Sequence, residues 1–317
     1  MNWVIIGISI FIILIILIIV CLYNICVFNR TELLPSIEYF LKNKNDSNII
    51  ISFTTIPSRL KNDNLKKVIE SMLRQTCRAK EIIINIPYFL KKTGTQYIIP
   101  KWLRSMEGII TINRCEDYGP ATKYITILQI ADPNQRIYIT DDDVLLDKNT
   151  LEWHSLYGKK YPTCCLANIG VKLENLNFQR GTIYLSNNNA ILNLGFKMFY
   201  IDNSKTVENL TTKIDIVLGF GGYSLIPSMI NVNDVMPNNL PKEAFFVDDI
   251  VISGALAKNN VTRLVIKGPE ISRMTIGDLY DYVVGYLIKS NVEILSVSNN
   301  STHKNNNTMI NYFRNYW

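Results

Sequence analysis

The chain has 317 residues, 48% of them hydrophobic, and a formal net charge of +6. Its Lys and Arg residues are scattered and no nucleic-acid-binding motif accompanies them, so we expect no nucleic-acid partner. The mild positive charge is compatible with an anionic substrate. The six cysteines form no CxxC pair and no Cys/His metal spacing, so they indicate neither a zinc site nor the redox compartment.

The first predicted element is an apolar segment. Residues Trp3 to Phe28 are almost entirely Ile, Leu, Val and Phe, and no charged residue occurs before Arg30. A helix of about 20 apolar residues crosses a bilayer, whereas a signal peptide has a basic start, a shorter apolar core and a small-residue cleavage site. The pattern therefore predicts a single-pass membrane anchor over residues 1–28, a stem or linker over 29–48 and one large domain over 49–317.

The orientation of this predicted anchor is left open by two opposing patterns. Basic residues after the anchor, such as Lys42 and Lys44, favour a cytosolic domain under the positive-inside rule. Sequons for N-glycosylation, for example at Asn45 and Asn209, favour the lumen of the ER or Golgi. The predicted location is therefore a membrane, with the face of the membrane undecided.

The rest of the chain alternates strand-like and helix-like patterns. Short apolar runs predict strands, and apolar residues at helical spacing predict helices. The predicted strands are Ile49–Thr55, Glu81–Ile86, Gly108–Asn113, Arg136–Thr140 and Val261–Ile266, with a further strand region over Pro162–Lys172. The first predicted helix runs from Leu65 to about Gln75–Thr76, and the others are Thr122–Ile130, Ile250–Lys258 and Met309–Trp317. The polar tract Ser298–Asn307 is a predicted loop. This alternation predicts an α/β fold with a largely parallel sheet and helices on both faces.

Polar residues follow three of the predicted strands. Ligands bind at the carboxyl ends of the strands in open parallel sheets, so these residues mark the expected site. They are Thr54, Thr55 and Arg59 after the first strand, Asp117 and Lys123 after the third, and Asp141, Asp142 and Asp143 after the fourth.

The three adjacent aspartates carry the main chemical prediction. Their carboxylates repel each other at a strand end, and a divalent cation removes that cost. Mg²⁺ and Mn²⁺ prefer oxygen ligands, including substrate phosphates, and a spacing of two residues puts Asp141 and Asp143 on one face of a continuing strand. An exposed acidic turn is the alternative, but the position directly after a buried strand favours a site for Mn²⁺ or Mg²⁺.

In order and spacing these segments resemble the GT-A glycosyltransferases, in particular family-2-like enzymes with a DxD motif. The run IYITDDDVLL at 137–146 resembles their DxD-bearing strand, and ISFTTIPSRL at 51–60 resembles their first strand and nucleotide loop. The run SMLRQT at 71–76, followed by EIII at 81–84, resembles a third passage. The resemblance covers roughly residues 49–266. It implies a Rossmann-like, mixed but mainly parallel sheet flanked by helices.

The resemblance also implies roles for the donor-binding residues. Asp141 and Asp143 would hold the metal that bridges the diphosphate of a nucleotide sugar. His303, in the polar tract near the end of the chain, is a candidate third metal ligand, and a disordered tail is the alternative. The other implied contacts are with the base and ribose (Thr54, Thr55, Arg59), the nucleotide edge (Asp117), the phosphates (Lys123) and the ribose or sugar (Asp142).

A second acidic site is formed by Asp248 and Asp249. The run FVDDIVISG at 246–254 resembles the E-D-V-x-x-G passage of inverting GT-A enzymes, although Asp248 stands where that pattern has Glu. The resemblance implies a catalytic pair in which Asp249 is the general base. Either aspartate could instead cap the following helix or interact with its dipole. Gly221 and Gly222 would lie near the acceptor, or form an ordinary tight turn.

The predicted function is metal-dependent, inverting transfer of a sugar from a nucleotide-diphosphate sugar to a hydroxyl of a glycan, glycoprotein or glycolipid. A nucleotidyltransferase is one alternative, but it would carry a Gly-rich, basic phosphate loop where this chain has TTIPSR. A non-catalytic, membrane-tethered carbohydrate-binding module is the other, and it would need no second acidic site. His154, on a predicted helix, is expected to be structural.

Overall fold

A computed structural model describes residues 11, 36–61, 63–187, 203–269, 273–274 and 304–317 of the chain. His303 and the predicted anchor, apart from residue 11, lie outside these described residues. Within those ranges, no helix has the length and apolar character needed to cross a membrane.

The strands and helices follow each other in an alternating order. The strands are β1 (Ile49–Thr54), β2 (Glu81–Pro87), β3 (Phe89–Leu90), β4 (Thr95–Gln96), β5 (Thr111–Cys115), β6 (Arg136–Ile139), β7 (Val144–Leu145), β8 (Cys165–Ala167), β9 (Ile169–Glu174), β10 (Asn177–Leu185), β11 (Asn203–Thr206), β12 (Thr211–Ile214), β13 (Ile216–Val217), β14 (Tyr223–Leu225), β15 (Arg263–Ile266) and β16 (Arg273–Met274). The α-helices are α1 (Ser36–Lys42), α2 (Pro57–Leu60), α3 (Asp63–Leu73), α4 (Lys101–Arg104), α5 (Thr122–Ile130), α6 (Thr150–Lys160), α7 (Asp248–Lys258) and α8 (Lys304–Tyr312). Short 3₁₀ turns, including Gly219–Gly221, connect several of them.

The main sheet has eight strands in the order β12-β15-β8-β14-β6-β1-β2-β5. Strands β6, β1, β2 and β5 pair in parallel, and β15 pairs in parallel with β8. The short strand β14 runs antiparallel to both of its neighbours, β6 and β8, and β12 is antiparallel to β15. The predicted α/β fold with a mixed, mainly parallel sheet is therefore confirmed.

The core lies on both faces of this sheet, as the apolar character of β1 predicts. Ile51 and Phe53 of β1 pack into the cluster that contains the buried face of α3, whereas Ile50 packs into the cluster that contains α5 and α7. Alternate residues of a strand point to opposite faces. A central parallel strand covered on both sides is therefore mostly apolar, which explains Ile49–Ile51 and Phe53. The buried hydroxyl of Ser52 donates to the carbonyl of Lys123 at 2.7 Å.

Several element boundaries differ from the prediction, and turn geometry or packing explains the larger differences. Strand β5 begins at Thr111, three residues after the predicted start, because Gly108 takes a positive φ of 96° in a turn. The prediction of a loop over residues 298–307 was wrong for 304–307, where α8 begins, and α8 ends at Tyr312 rather than at Trp317. Buried Met309, Ile310 and Phe313 join the core cluster that contains α7, and this tertiary packing stabilises a helix whose polar first turn, residues 304–307, was not predicted.

Candidate functional site

Four segments of the chain meet where β6 ends. Asp141 follows β6, Lys123 lies in the first turn of α5, Asp248 and Asp249 open α7, and Gly219 lies between β13 and β14. Since β6 and β1 pair in parallel, this is the carboxyl edge of the parallel half of the sheet. That edge is where ligands bind in folds of this type.

Lys123 joins the two acidic sites that the sequence predicts. Its Nζ is 2.6 Å from Asp141 Oδ1 and 2.7 Å from Asp248 Oδ2, and the residue is only 3% exposed. Burial alone would lower the pKa of Lys123, but the carboxylates of Asp141, Asp248 and Asp249 outweigh it and raise that pKa well above its usual value. The lysine is therefore a fixed positive charge between the candidate metal-binding and catalytic aspartates.

Asp249 is held by the glycine-rich segment. Its Oδ1 accepts a hydrogen bond of 2.9 Å from the backbone N–H of Gly219. A Cβ on Gly219 would lie 2.6 Å from Lys123 Nζ and 2.9 Å from Asp249 Oδ1, so the backbone can approach only because residue 219 has no side chain. Burial, reinforced by the neighbouring charge of Asp248, raises the pKa of Asp249 well above its usual value.

Neither aspartate of this pair caps its helix through a side chain. Both lie in the first turn of α7, and the N-cap position is Val247, which makes no side-chain capping bond. Their negative charge still suits the positive end of the helix dipole. Their specific partners are Lys123 and the Gly219 amide, both of which belong to other segments.

Asp142 is directed into the protein and binds the loop after β1. Thr55 Oγ1 donates a 2.5 Å hydrogen bond to Asp142 Oδ2, and Arg59 donates to Asp142 Oδ1. The Nη2 atom of Arg59 also lies 3.2 Å from Asp143 Oδ2. Burial raises the pKa of Asp142, and the charge of Arg59 opposes that shift. Asp142 thus fixes the predicted nucleotide loop against the end of β6.

Asp117 and Thr54 also have protein partners in the described structure. Asp117 accepts hydrogen bonds from the backbone N–H of Lys91 (2.7 Å) and of Gly119 (2.8 Å), and Thr54 Oγ1 donates to the carbonyl of Asn85 (2.8 Å). Asp117 and Thr54 therefore hold neighbouring backbone segments in place at the carboxyl edge, beside β5 and β1.

The donor chemistry at this edge suits a divalent cation, with one restriction. Asp141 and Asp143 provide the carboxylate oxygens that Mg²⁺ and Mn²⁺ prefer. However, within the ranges that the structure describes, no group of three or more His, Cys, Asp or Glu residues is arranged to hold a metal ion. In the described residues Asp141 pairs with Lys123 and Asp143 with Arg59, so a cation held here would share these carboxylates with two basic side chains.

A buried polar network lies behind the glycine-rich segment. The ring nitrogens of His154 lie 2.9 Å from Ser224 Oγ and 2.9 Å from Asn168 Oδ1. Asn168 Nδ2 donates to the carbonyl of Gly221 (2.8 Å) and to Tyr138 Oη (3.2 Å). The sequence identified His154 as structural, but it gave no signal for Asn168, which is a single polar residue between two short strands.

Gly222 packs directly against this network. Its φ is 79°, which disfavours other residues, and a Cβ there would collide with the hydroxyl of Tyr138. Gly221 and Gly222 are thus both fixed by contacts with the interior, in the same segment that presents the Gly219 amide to Asp249.

The buried state of His154 predicts a loss of stability in acid. Burial lowers the pKa of His154 from 6.5 to about 3. Below pH 6.5 the unfolded chain takes up a proton that the folded chain does not, so the free energy of unfolding falls as pH decreases. The expected loss from this residue is about 1.4 kcal/mol at one pH unit below 6.5.

Urea denaturation of the wild type and of His154→Gln at pH 7.5 and 5.5 measures this loss. The variant lacks the titrating ring and should lose less stability between the two pH values. An equal loss in both proteins would contradict the assignment of a low pKa to His154.

The fold and the site together define a mixed α/β protein with a charged cluster at the carboxyl edge of its sheet. The sequence matches no protein-family model and no curated protein. Solved structures similar to this chain include those of TarS from S. aureus. TarS 1–349 matches at 14% sequence identity with a TM-score of 0.41. Its complex with UDP matches at 13% sequence identity with a TM-score of 0.43. Each alignment covers 84% of this chain and 70% of TarS 1–349.

A further TarS structure matches at 12% identity and a TM-score of 0.43 over 84% of this chain. There the alignment covers only 42% of the TarS chain. At such low identities and TM-scores, the likeness establishes neither a family nor an activity.

Proposed function

We propose that this protein is a glycosyltransferase that moves a sugar from a nucleotide-diphosphate sugar to a hydroxyl acceptor. The observation that carries the proposal is the position of Lys123, whose ammonium lies between Asp141 and Asp248 at the carboxyl edge of the sheet. A nucleoside diphosphate is an anionic leaving group, and a fixed cation stabilises the charge that develops on it. A carboxylate of raised pKa in the same cluster suits a base that accepts the proton of the acceptor hydroxyl.

In this proposal the donor binds along β1, β5 and β6. Thr54, Thr55 and Arg59 would face the base and ribose, and Asp117 the edge of the nucleotide. Asp142 would act on the ribose or sugar, in part through the loop that it holds with Arg59. Lys123 would keep its pair with Asp248 and exchange its contact with Asp141 for one with the diphosphate, since both groups offer anionic oxygens to the same ammonium.

A divalent cation is part of the proposal as a cofactor. Asp141 and Asp143 would hold Mn²⁺ or Mg²⁺ together with the diphosphate, and His303 is the proposed additional ligand from the protein. The bound cation would supply Lewis-acid stabilisation of the leaving group. Lys123 and Arg59 pair with these two aspartates. A bound nucleotide would give both basic side chains a new partner. The affinity of the protein for the metal should therefore depend on the presence of the nucleotide.

The acceptor would bind on the side of α7. Asp249 would take the proton of the attacking hydroxyl while the new bond to the anomeric carbon forms and the bond from that carbon to the diphosphate breaks. Direct displacement of this kind inverts the configuration at the anomeric carbon. Asp248 would keep Lys123 in place, and Gly221 and Gly222 would line the acceptor. A glycan, glycoprotein or glycolipid near a membrane is the proposed acceptor, with residues 1–28 as the anchor.

Donor hydrolysis across a panel of nucleotide sugars tests this function. The full-length chain is assayed with Mn²⁺ and with EDTA, beside Asp143→Ala and the control Asp132→Ala, which changes an aspartate before β6, at the other end of that strand. We expect metal-dependent release of a nucleoside diphosphate from one donor, which is lost in Asp143→Ala and kept in the control.

The reaction products separate the alternatives. Release of a nucleoside monophosphate or of pyrophosphate would indicate nucleotidyl transfer. An absence of both turnover and metal-dependent nucleotide binding in the folded protein would favour a carbohydrate-binding module.

A further inference from the structure

We infer that Asn168 and His154 are positioning residues for Asp249, and that they act through the backbone of residues 219–222. The inference rests on the proposed function, because it assigns these residues a part in placing the proposed base. Neither residue touches the carboxylates of the candidate site. Their effect would be transmitted through hydrogen bonds that the structure describes.

Asn168 holds two successive carbonyl groups of the glycine segment. Its side-chain Nδ2 donates to the carbonyl of Gly221 at 2.8 Å, and its backbone N–H donates to the carbonyl of Gly222 at 3.1 Å. Asn168 is fully buried, so no water competes for these bonds. The segment is therefore attached to the interior at its carboxyl end.

A single 3₁₀ turn connects this attached end of the segment to the amide that binds Asp249. The N–H of Gly222 donates to the carbonyl of Gly219 at 2.9 Å, which closes the 3₁₀ turn. At the other end of that turn, the N–H of Gly219 donates to Asp249 Oδ1. Gly222 cannot move inward because Tyr138 occupies that space. The Gly219 amide is also held within the turn, because the N–H of Gly221 donates to the carbonyl of Leu218 at 3.1 Å, and through this turn it is connected to Asn168 and Tyr138.

His154 fixes the orientation of the Asn168 amide. Because Asn168 Nδ2 donates to Gly221 and Tyr138, its Oδ1 must accept, so His154 carries its proton on Nε2. The Nδ1 atom of His154 then accepts from the hydroxyl of Ser224. A glutamine at position 154 can supply an N–H donor in place of Nε2, whereas a phenylalanine cannot.

The chain offers a matched control at the opposite end of β6. Gln135 is also buried, its Nε2 donates to the carbonyls of Asn48 (2.7 Å) and Arg136 (3.0 Å), and its Oε1 accepts from Lys80 (2.6 Å). Asn168→Ala and Gln135→Ala therefore each remove an amide that donates twice and accepts once. Only the first of these amides contacts the glycine segment.

The first experiment measures hydrogen–deuterium exchange of residues 218–223 in the full-length wild type, Asn168→Ala and Gln135→Ala. We expect faster exchange of this segment in Asn168→Ala and wild-type exchange in Gln135→Ala. Equal exchange of the segment in both variants, whether raised or unchanged, would overturn the inference. This readout does not require the chain to be an active enzyme.

The second experiment measures kcat for transfer and the Kd of the donor nucleotide in the same variants. A displacement of about 1 Å at a reacting group costs on the order of 100-fold in rate, so we expect Asn168→Ala to lower kcat by about 10- to 100-fold. The nucleotide Kd should not change, because Thr55, Arg59 and Asp142 lie outside the network. His154→Gln should retain more of kcat than His154→Phe.

The two experiments test the inference and the proposed function independently of each other. An unchanged kcat in an active Asn168→Ala variant would overturn the inference, as would a parallel loss of kcat in Gln135→Ala. A wild-type chain that turns over no donor would contradict the proposed function. The exchange result would then still decide whether Asn168 fixes the segment that binds Asp249.

Discussion

Replacing Asp249 by Asn is expected to lower kcat for sugar transfer by about two to four orders of magnitude, the usual contribution of a positioned general base. Asparagine has nearly the same shape, and its Oδ1 can still accept the Gly219 N–H that binds Asp249 at 2.9 Å. It cannot accept the proton of an acceptor hydroxyl. The defect should therefore appear in the rate at saturating donor and acceptor, with donor affinity little changed.

Product formation at saturating substrates and calorimetric titration with the donor nucleotide measure the two quantities. Asp234→Asn is the control, because Asp234 pairs with Lys258 at the other end of α7, far from the cluster. If Asp249→Asn keeps the wild-type kcat, Asp249 is not the base. An equal loss in Asp234→Asn would indicate a general effect on α7.

Replacing Lys123 by Met is expected to lower the free energy of unfolding by about 3–5 kcal/mol, the usual cost of removing one partner from a buried ion pair. Methionine keeps the length and the apolar stem of the side chain. It leaves Asp141, Asp248 and Asp249 without the ammonium that lies among them, and the burial of Asp249 makes its uncompensated charge costly. The protein should also lose donor turnover, because the same ammonium is proposed to stabilise the leaving group.

Urea denaturation of Lys123→Met, of Asp249→Asn and of the double variant gives their free energies of unfolding. These values test whether the loss of stability in Lys123→Met is electrostatic. Removing one of the stranded charges should restore part of the stability, so the double variant should be more stable than Lys123→Met alone. Lys42→Met, which breaks an exposed pair with Glu38 on α1, should change stability very little. Additive effects in the double variant would mean that Lys123 stabilises the fold through packing rather than charge.

The parallel half of the sheet could be predicted from the sequence because its signals are local. Strand β1 begins with the apolar run Ile49–Ile51, α5 has the predicted bounds Thr122–Ile130, and Asp141 comes two residues after the end of β6. Each of these features depends on residues that are neighbours in the chain. The prediction that polar residues at these strand ends share one edge then follows from the parallel arrangement alone.

The connections within the site could not be predicted, because they depend on distant segments. Nothing local to Lys123 indicates that it bridges Asp141 and Asp248, and no periodicity marks Asn168 as a partner of the glycine segment. Strand β14 has only three residues, too few for an alternation pattern to reveal its antiparallel direction. The tertiary contacts of Phe313 likewise decide the position of α8 against its polar composition.

The position of β14 has a consequence for how the protein folds. In the sheet order, β14 alone lies between the parallel half, β6-β1-β2-β5, and the remaining strands β12, β15 and β8. The first half comes from one continuous stretch of chain and can pair early, whereas β14 must insert beside β6 across a long sequence separation, which is a slow step. Gly219 directly precedes β14, and Asp249 opens the helix that leads to β15. The charged cluster is therefore complete only when β14 has joined the two parts of the sheet.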